Sequence, residues 1–335
     1  MSESEKLKPI VSVVIPCRNE AEYIKKTIHS IFNQKNIPGE IEILVVDGMS
    51  TDGTKDLLDK ISSEDNRVKL LPNPKKITPV AMNLGINNAL GEYIAIMGAH
   101  SEYDENYLSE CLKLFNIDSS IMCTGGPIQS EGRTNFGKAS ALAMSHPIGV
   151  GNAKHRFPNY EGYAEGAGFP VFKKEIFEKI GIYDESLVRN QDDELNFRLT
   201  KAGYKVYLSP KVKSKYYVRD NPKKLFTQYY DYGFWRIATL KKHGAAVSIR
   251  QLIPAIFYLF ILSTIIISPF LPINPVITIL TIPVIYLIII AIFTLEIILE
   301  KGIKIGLMFP LAIMILHFSY ALGFLKGIKL FRNKK

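Results

Sequence analysis

Short apolar runs rich in β-branched residues alternate with amphipathic stretches along the first two thirds of the chain. Five of these runs have the length and composition of strands: Val11–Ile15, Ile41–Val46, Val68–Leu71, Tyr93–Met97 and Val206–Leu208. Between the first two runs, an i, i+4, i+7 stripe is formed by Ile24, Ile28 and Ile31. This stripe predicts a helix that starts near Asn19. The alternation predicts an α/β domain with a mostly parallel sheet and helices on both faces.

Polar residues follow three of these runs at their carboxyl ends, in the segments Pro16–Glu20, Asp47–Ser50 and Gly98–Glu102. In open α/β sheets the carboxyl ends of the strands form the ligand-binding edge, so we expect a site there. The turn after Asp47 lacks the Gly-Lys-Ser/Thr ending of a P-loop, which favours recognition of a nucleotide's base or sugar by this carboxylate. A second interpretation stays open, in which Asp47 and Ser50 only cap the helix that begins near Thr54.

A second polar cluster, made of Asp192, Asp193 and Glu194, falls in the first turn of a helix indicated by Leu195 and Leu199. Acidic residues at this position suit the helix dipole, which is one interpretation. The other is that one carboxylate acts as a general base and takes a proton from a sugar hydroxyl. The pattern alone leaves both open.

The last quarter of the chain is apolar. No charged residue occurs in the 45 residues Gln251–Leu295, and a hydrocarbon core needs about 20 residues per helix. Two spanning helices fit, with the proline-rich segment Ser268–Pro275 as their turn, and a third uncharged run covers Ile305–Leu325. We therefore predict membrane helices over about 252–271, 275–295 and 306–325.

Charge is unevenly distributed. Residues 1–204 carry 23 Lys and Arg against 28 Asp and Glu, whereas residues 205–250 carry 11 against 2. A local basic collar beside apolar spans predicts contact with a membrane and no binding of nucleic acid. Because Lys and Arg next to spans stay on the cytoplasmic side, the N-terminal domain is predicted to be cytoplasmic.

The same rule leaves the last apolar run undecided. A third full span would place Lys329 and the basic C-terminus outside. Either this run is re-entrant or interfacial, or the rule is broken here. We divide the chain into a domain over 1–220, a basic juxtamembrane segment over 221–250 and a membrane region over 251–335.

The remaining compositional signals concern the cellular compartment. The polar start, Met1–Pro9, predicts no signal peptide. Three cysteines, an odd number without metal-ligand spacing, predict reduced cytoplasmic thiols; they are Cys17, Cys111 and Cys123.

Four segments resemble, in order and spacing, the motifs of the family 2 glycosyltransferases, which have the GT-A fold: Val13–Glu20, Val45–Thr54, Gly98–His100 and Gln191–Leu195. A narrower resemblance, to the succinoglycan-type glucosyltransferases of exopolysaccharide assembly, rests on Leu187–Arg198, Tyr232–Arg236 and His317–Phe324. The resemblance covers nearly the whole chain. It implies an inverting transfer from a nucleotide-diphosphate sugar, a UDP-sugar, to a lipid-linked or polysaccharide acceptor at the cytoplasmic membrane face, by an enzyme of the hexosyltransferase type.

The resemblance also implies roles for individual residues. Asp47 would bind the uracil or the ribose, and the same pocket would be lined by Pro16, Arg18 and Glu20. Asp192 matches the catalytic base, because it lies three residues before the leucine of the motif. Gln191 stands beside the base, in the substrate site, where many relatives carry a glutamate.

The family's Asp-x-Asp motif, which holds a divalent cation that neutralises the departing diphosphate, becomes Gly98-Ala99-His100 here. Ala99 is expected to line the donor site. Gly98 offers no ligand, so His100 is the candidate ligand for Mn²⁺ or Mg²⁺, and imidazole suits the former better. Glu102 is a substitute oxygen ligand. The alternative is that His100 is a capping or core histidine.

The pair Trp235-Arg236 is assigned to substrate binding and follows a predicted helix that contains Leu225, Tyr229 and Tyr232. Processive relatives carry a Gln-x-x-Arg-Trp box here. Its absence favours the addition of a single sugar. Trp235 has an alternative role as an interfacial anchor.

Two other classes of function compete with this interpretation. Gly98 and Gln191 motivate a non-catalytic, membrane-anchored protein that binds nucleotide sugars. A nucleotidyltransferase would need a glycine-rich phosphate loop near the N-terminus, and the sequence has none.

Overall fold

The computed structural model describes residues 8–244 and 249–331. Residues 1–7, which form most of the segment used to predict the absence of a signal peptide, lie outside this range, as do the last basic residues, 332–335. The chain forms two compact units, described separately below. Unit 1 comprises Met1–Gln129 and Lys154–Tyr216, and unit 2 comprises Ser130–Ala153 and Tyr217–Lys335. The three-part division made from the sequence stays a prediction.

Within the described residues the chain forms eleven strands: β1 Val11–Cys17, β2 Ile41–Asp47, β3 Val68–Pro72, β4 Tyr93–Ile96, β5 Ser101–Tyr103, β6 Ile121–Gly126, β7 Gln129–Glu131, β8 Gly162–Ala164, β9 Gly168–Lys173, β10 Lys205–Leu208 and β11 Ser214–Tyr217. The α-helices in the same range are α1 Ile24–Phe32, α2 Thr54–Glu64, α3 Thr78–Asn88, α4 Tyr107–Leu114, α5 Asn135–Ala143, α6 Pro147–Val150, α7 Ile176–Ile180, α8 Gln191–Lys201, α9 Pro222–His243, α10 Ile253–Ile267, α11 Pro275–Lys301, α12 Ile303–Gly306 and α13 Phe309–Phe331.

Unit 1 is built on an eight-stranded sheet with the order β3-β2-β1-β4-β9-β6-β10-β8. Strands β3, β2, β1 and β4 are mutually parallel, and β6 is parallel to β10. β9 runs antiparallel between β4 and β6, and β8 is an antiparallel edge strand. The predicted mostly parallel sheet is confirmed, and each of the five predicted strands is present.

Helices cover both faces of this sheet, because alternate residues of its central strands point to opposite sides. On one face, Val13 and Ile15 belong to a core with Ile24 and Ile28 of α1. On the other, Val14 belongs to a second core with residues of α3 and α8. Helix α1 begins at Ile24 and not near Asn19, because the residues before it form a turn joined to the next loop.

Unit 2 contains three helical segments long and apolar enough to cross a membrane: Ile253–Phe270, Pro275–Lys301 and Ile303–Phe331. Its polar helix α9 runs alongside α13 in the same direction, with glycines at the contact. A Cβ on Gly233 would lie 2.0 Å from the carbonyl oxygen of Tyr320, and one on Gly323 would lie 2.0 Å from that of Tyr230. Gly323 and Gly327 form the small-xxx-small pattern that lets helix backbones approach closely.

Candidate active site

Two loops meet at the carboxyl edge of the sheet, because β1 and β2 pair in register up to Cys17 and Asp47. Asp47 is buried, and its carboxylate accepts hydrogen bonds from the Ser50 backbone N–H (3.1 Å) and hydroxyl (2.5 Å). Helix α2 receives no side-chain cap from either residue, since its N-cap is Gly53. These hydrogen bonds order the loop that follows Asp47 and hold the carboxylate oxygens at the edge of the sheet.

The same two loops are joined by cross-loop hydrogen bonds. The Asn19 backbone N–H donates to the Ser50 hydroxyl (2.8 Å), and the Asn19 side-chain oxygen accepts from the Thr51 N–H (2.9 Å). Asn19 and Met49 both have positive φ, a conformation that costs about 1–3 kcal/mol and concentrates at functional sites. The cross-loop hydrogen bonds therefore hold the two loops against each other at this edge.

The structure brings the predicted donor-site residues of the first loop to this edge. Pro16 pairs with Val46 in the ladder, and Arg18 is exposed. A Cβ on Gly48 would lie 3.1 Å from the Arg18 Cβ, so the glycine lets the two loops lie close together. Buried Ala99 presents its carbonyl oxygen to the Thr27 hydroxyl at 2.8 Å, and this contact ties the third polar segment to α1.

Glu20 and His100 form a pair across this edge, with 3.1 Å between Oε1 and Nδ1. Among the described residues, no group of three or more His, Cys, Asp or Glu is placed to hold a metal ion. The donor set is thus one imidazole with a carboxylate beside it. Such a pair fits a divalent ion that takes most of its ligands from phosphate oxygens, and it does not make a site from protein atoms alone.

Asp192 stands in the first turn of α8, after Asn190, whose φ of 62° is in the left-handed region. Its side chain is exposed to solvent, and Gln191, Tyr183 and Asp193 lie beside it. Desolvation, together with the charge of Asp193, raises the pKa of Asp192 to about 7, and the neighbouring Tyr183 opposes this shift. An ordinary surface aspartate has a pKa near 3.9.

The surroundings of Asp192 are held by Glu194 of the same acidic cluster and by two residues that the sequence analysis did not single out, Arg198 and Asn83. Fully buried Glu194 accepts two hydrogen bonds from Arg198, at 2.8 and 2.9 Å, and Arg198 also donates to the carbonyl of Ile182 at 2.8 Å. Asn83 holds the backbone of Tyr183 at both its N–H and its carbonyl, each at 2.9 Å. The spacing of Glu194 and Arg198, four apart on a helix, could have revealed the first pair.

Gln191 lies beside Asp192, is buried, and has its side-chain nitrogen 3.4 Å from an Asp192 carboxylate oxygen. Its own side-chain oxygen has no partner in the part of the chain that the structure describes. Asp192 therefore has a neutral donor as one neighbour and the charge of Asp193 as another.

Trp235 and Arg236 belong to unit 2 and lie within α9, not after a helix as expected. The Trp235 ring packs against Phe234 and Phe331, and Arg236 is buried. Their role in substrate binding stays a prediction.

Residues 12–181 match the family model described as Glycosyl transferase family 2. The succinoglycan biosynthesis protein ExoA of Rhizobium meliloti (strain 1021) is 34% identical over 259 residues, which are 76% of this chain and 77% of that protein. The dolichyl N-acetyl-alpha-D-glucosaminyl phosphate 3-beta-D-2,3-diacetamido-2,3-dideoxy-beta-D-glucuronosyltransferase of Methanococcus voltae is 28% identical over 329 residues, which cover 95% and 97% of the two chains.

Among solved structures, the mannosyltransferase PcManGT from Pyrobaculum calidifontis, in complex with GDP-Man and Mn²⁺, matches with a TM-score of 0.61 at 16% identity. The match covers 96% of this chain and 88% of that one. This likeness confirms the GT-A fold expected from the motifs. From the family match and the 34% identity to ExoA, the chain belongs to glycosyltransferase family 2.

Proposed function

We propose that this family 2 glycosyltransferase is an inverting hexosyltransferase that uses a UDP-sugar as donor. The acceptor is a lipid-linked sugar or a growing polysaccharide at the cytoplasmic face of the membrane. The names of the two relatives support an acceptor of this kind, since one belongs to succinoglycan biosynthesis and the other is named for a dolichyl-linked sugar. The observation that carries the proposal is Asp192, a solvent-accessible carboxyl whose pKa is raised to about 7.

In the proposed reaction the acceptor hydroxyl gives its proton to the Asp192 carboxylate as its oxygen attacks the anomeric carbon. The new carbon–oxygen bond forms opposite the bond to the diphosphate, and the diphosphate leaves with that electron pair, so the configuration inverts. A base with a pKa near 7 combines a substantial ionised fraction at neutral pH with a strong affinity for the proton. Gln191 and the Glu194–Arg198 pair hold the base in place.

On the donor side, Asp47 binds the uracil or ribose, and Pro16, Arg18, Glu20 and Ala99 line the pocket. His100 would hold a Mn²⁺ or Mg²⁺ ion together with the substrate's diphosphate, and the ion would supply charge neutralisation for the leaving group. The protein's own part in this step is to orient the imidazole, which Glu20 does through the 3.1 Å contact to Nδ1.

A direct test uses membranes that contain the full-length protein. They are incubated with radiolabelled UDP-sugars and polyprenyl-diphosphate sugars, and sugar transfer to lipid is measured for wild type, Asp192→Asn and Asp193→Asn. We expect transfer by wild type and by Asp193→Asn, and a loss of about 100-fold or more in Asp192→Asn, in line with the contribution of general bases.

The competing function, a nucleotide-sugar-binding protein without catalysis, gives a different result. It predicts tight UDP binding with no transfer from any common donor, and wild type no more active than Asp192→Asn. That outcome would end the enzymatic proposal.

A further inference from the structure

The three apolar helices of unit 2 differ in how much protein covers them. In the most apolar 18-residue window of each segment, 17% of residues are buried in Ile253–Phe270, 6% in Pro275–Lys301 and 39% in Ile303–Phe331, the segment that contains α12 and α13. α10 and α11 expose large apolar side chains along their whole length. Such a surface is stable only in contact with lipid, whereas much of α13 is already covered by protein.

Helices α10 and α11 form a hairpin, and the distance of a residue from its turn gives the depth of that residue along the hairpin. They are joined by the short turn at residues 271–274, and the rings of Phe257 and Tyr286 are 5.2 Å apart. With a rise of 1.5 Å per residue, both rings lie about 20 Å from the turn. On the same scale Leu252 and Phe293 lie about 28 Å from it, near the far boundary of a hydrocarbon core about 30 Å thick.

The N-terminal half of α13 starts at that far boundary and descends along α11. His146 makes ring contacts with both Phe293 and Phe309, which places the start of α13 beside Phe293. Further along, His317 Nδ1 lies 2.9 Å from the Tyr286 hydroxyl. The ring of the next residue, Phe318, also packs against Tyr286, about 20 Å from the turn.

The C-terminal half of α13 also contacts the end of the hairpin remote from the turn. Tyr320 and Phe324 belong to a core cluster with Ala255, and Leu252 packs against it. The helix then follows α9, and Lys241 Nζ donates a hydrogen bond to the Phe331 carbonyl at 2.9 Å. Both ends of α13 therefore lie toward the end of the hairpin remote from its turn. A helix that crossed the bilayer would instead contact the hairpin along its whole length, from the remote end to the turn.

His317 fixes this arrangement. Its Nε2 lies 2.8 Å from the carbonyl oxygen of Ile148 in α6, while Nδ1 faces the Tyr286 hydroxyl. Both ring nitrogens are thereby used, one toward α11 and one toward α6. The same residue thus ties the middle of α13 to the hairpin and to a short helix that carries no membrane span.

We propose that α13 does not cross the bilayer but lies in its cytoplasmic leaflet across the α10–α11 hairpin. The protein then has two spans, and its C-terminus is on the same side as Arg250 and Lys301. The proposal rests on the membrane placement proposed above. It also removes the conflict with the positive-inside rule, because exposed Lys326 and Lys329 then meet the headgroups of the cytoplasmic leaflet.

The test is the accessibility of single introduced cysteines in the full-length protein. Ile273→Cys marks the hairpin turn, Asn333→Cys marks the C-terminus and Ser63→Cys, at an exposed position of α2, marks unit 1. A membrane-impermeant maleimide is applied to intact cells and, separately, to permeabilised cells. Wild type is the background control, because its three cysteines are buried and burial raises the pKa of their thiols, so they stay protonated and unreactive.

We expect Ile273→Cys to be labelled in intact cells, and Asn333→Cys and Ser63→Cys to be labelled only after permeabilisation. Labelling of both Ile273→Cys and Asn333→Cys in intact cells would show a third span and overturn the proposal. Protection of Ile273→Cys in intact cells would show that the hairpin does not cross the membrane, which overturns the proposal and the membrane placement together.

Sugar transfer measured in the same membranes reports separately on the proposed enzymatic function. A cysteine appended after Lys335 provides a second C-terminal position.

Discussion

Two aspartates in unit 1 have opposite environments. Asp47 is buried with its carboxylate hydrogen-bonded to the backbone and hydroxyl of Ser50. Asp192 is open to solvent but crowded by protein and by Asp193, so its neutral form is favoured. A carboxylate held by hydrogen bonds is suited to binding, and one with a raised pKa is suited to proton transfer. The environments therefore support different roles for the two.

The first prediction separates donor binding from catalysis. We expect Asp47→Ala to weaken UDP affinity about 10- to 100-fold, because a hydrogen bond to a charged group contributes about 1.5–3 kcal/mol. Asp192→Asn should leave UDP affinity unchanged, because this residue is assigned to the acceptor's proton. Calorimetry of UDP binding to the purified proteins checks both, and the reverse pattern would exchange the assigned roles.

A second prediction concerns pH. Because the pKa of Asp192 is raised to about 7, the proton occupies the base below that pH and turnover should fall about tenfold per pH unit. Above pH 7 the rate should level off. Transfer rates measured at saturating donor from pH 5.5 to 8.5 check this shape. The residual activity of Asp192→Asn should lack the transition, and an unchanged transition in that variant would assign the pKa to another group.

At the scale of elements, five strands could be predicted because apolar residues dominate each run. The pattern did not indicate β9, which contains Pro170 and lies antiparallel between β4 and β6. α1 starts late because the Ala21 N–H is held by Asp52, a partner 31 residues away. The contact between Asn83 and Tyr183, 100 residues apart, likewise leaves no local pattern.

A third prediction tests the pair that anchors α8. Arg198→Met should lower the free energy of unfolding by about 3 kcal/mol, because it removes the guanidinium that donates two hydrogen bonds to the buried carboxylate of Glu194. Lys201→Met, an exposed change on the same helix, is the control and should stay within about 0.5 kcal/mol. Chemical unfolding in detergent measures both. If the double variant Glu194→Met/Arg198→Met is no more stable than Arg198→Met, the loss of stability does not come from the charge that Glu194 keeps in the single variant.

A fourth prediction tests the close packing of α9 on α13. Gly323→Ala should destabilise unit 2 by about 1–3 kcal/mol, because the added methyl group meets the backbone of Tyr230. Leu322→Ala removes an exposed side chain from the adjacent position and is the matched control. Thermal unfolding in detergent compares the two, and equal midpoints would show that this contact contributes no stability.

At the scale of the whole molecule, hydropathy along the chain was sufficient to predict apolar helices after an α/β domain. Hydropathy was not sufficient to predict the path of α13, because it does not distinguish an apolar side chain covered by lipid from one covered by protein. Only the contacts of residues such as His317 and Phe324 distinguish these cases. The charge pattern bears on the same question, since a third span would place the basic C-terminus outside.

The glycine in the altered metal motif has a steric consequence. A Cβ on Gly98 would lie 2.9 Å from the ring of Phe169, and that ring is itself packed edge-on against Tyr103. A side chain at position 98 therefore requires the Phe169 ring to move. Introducing an aspartate there would accordingly change the packing of Phe169 and Tyr103 as well as add a carboxylate.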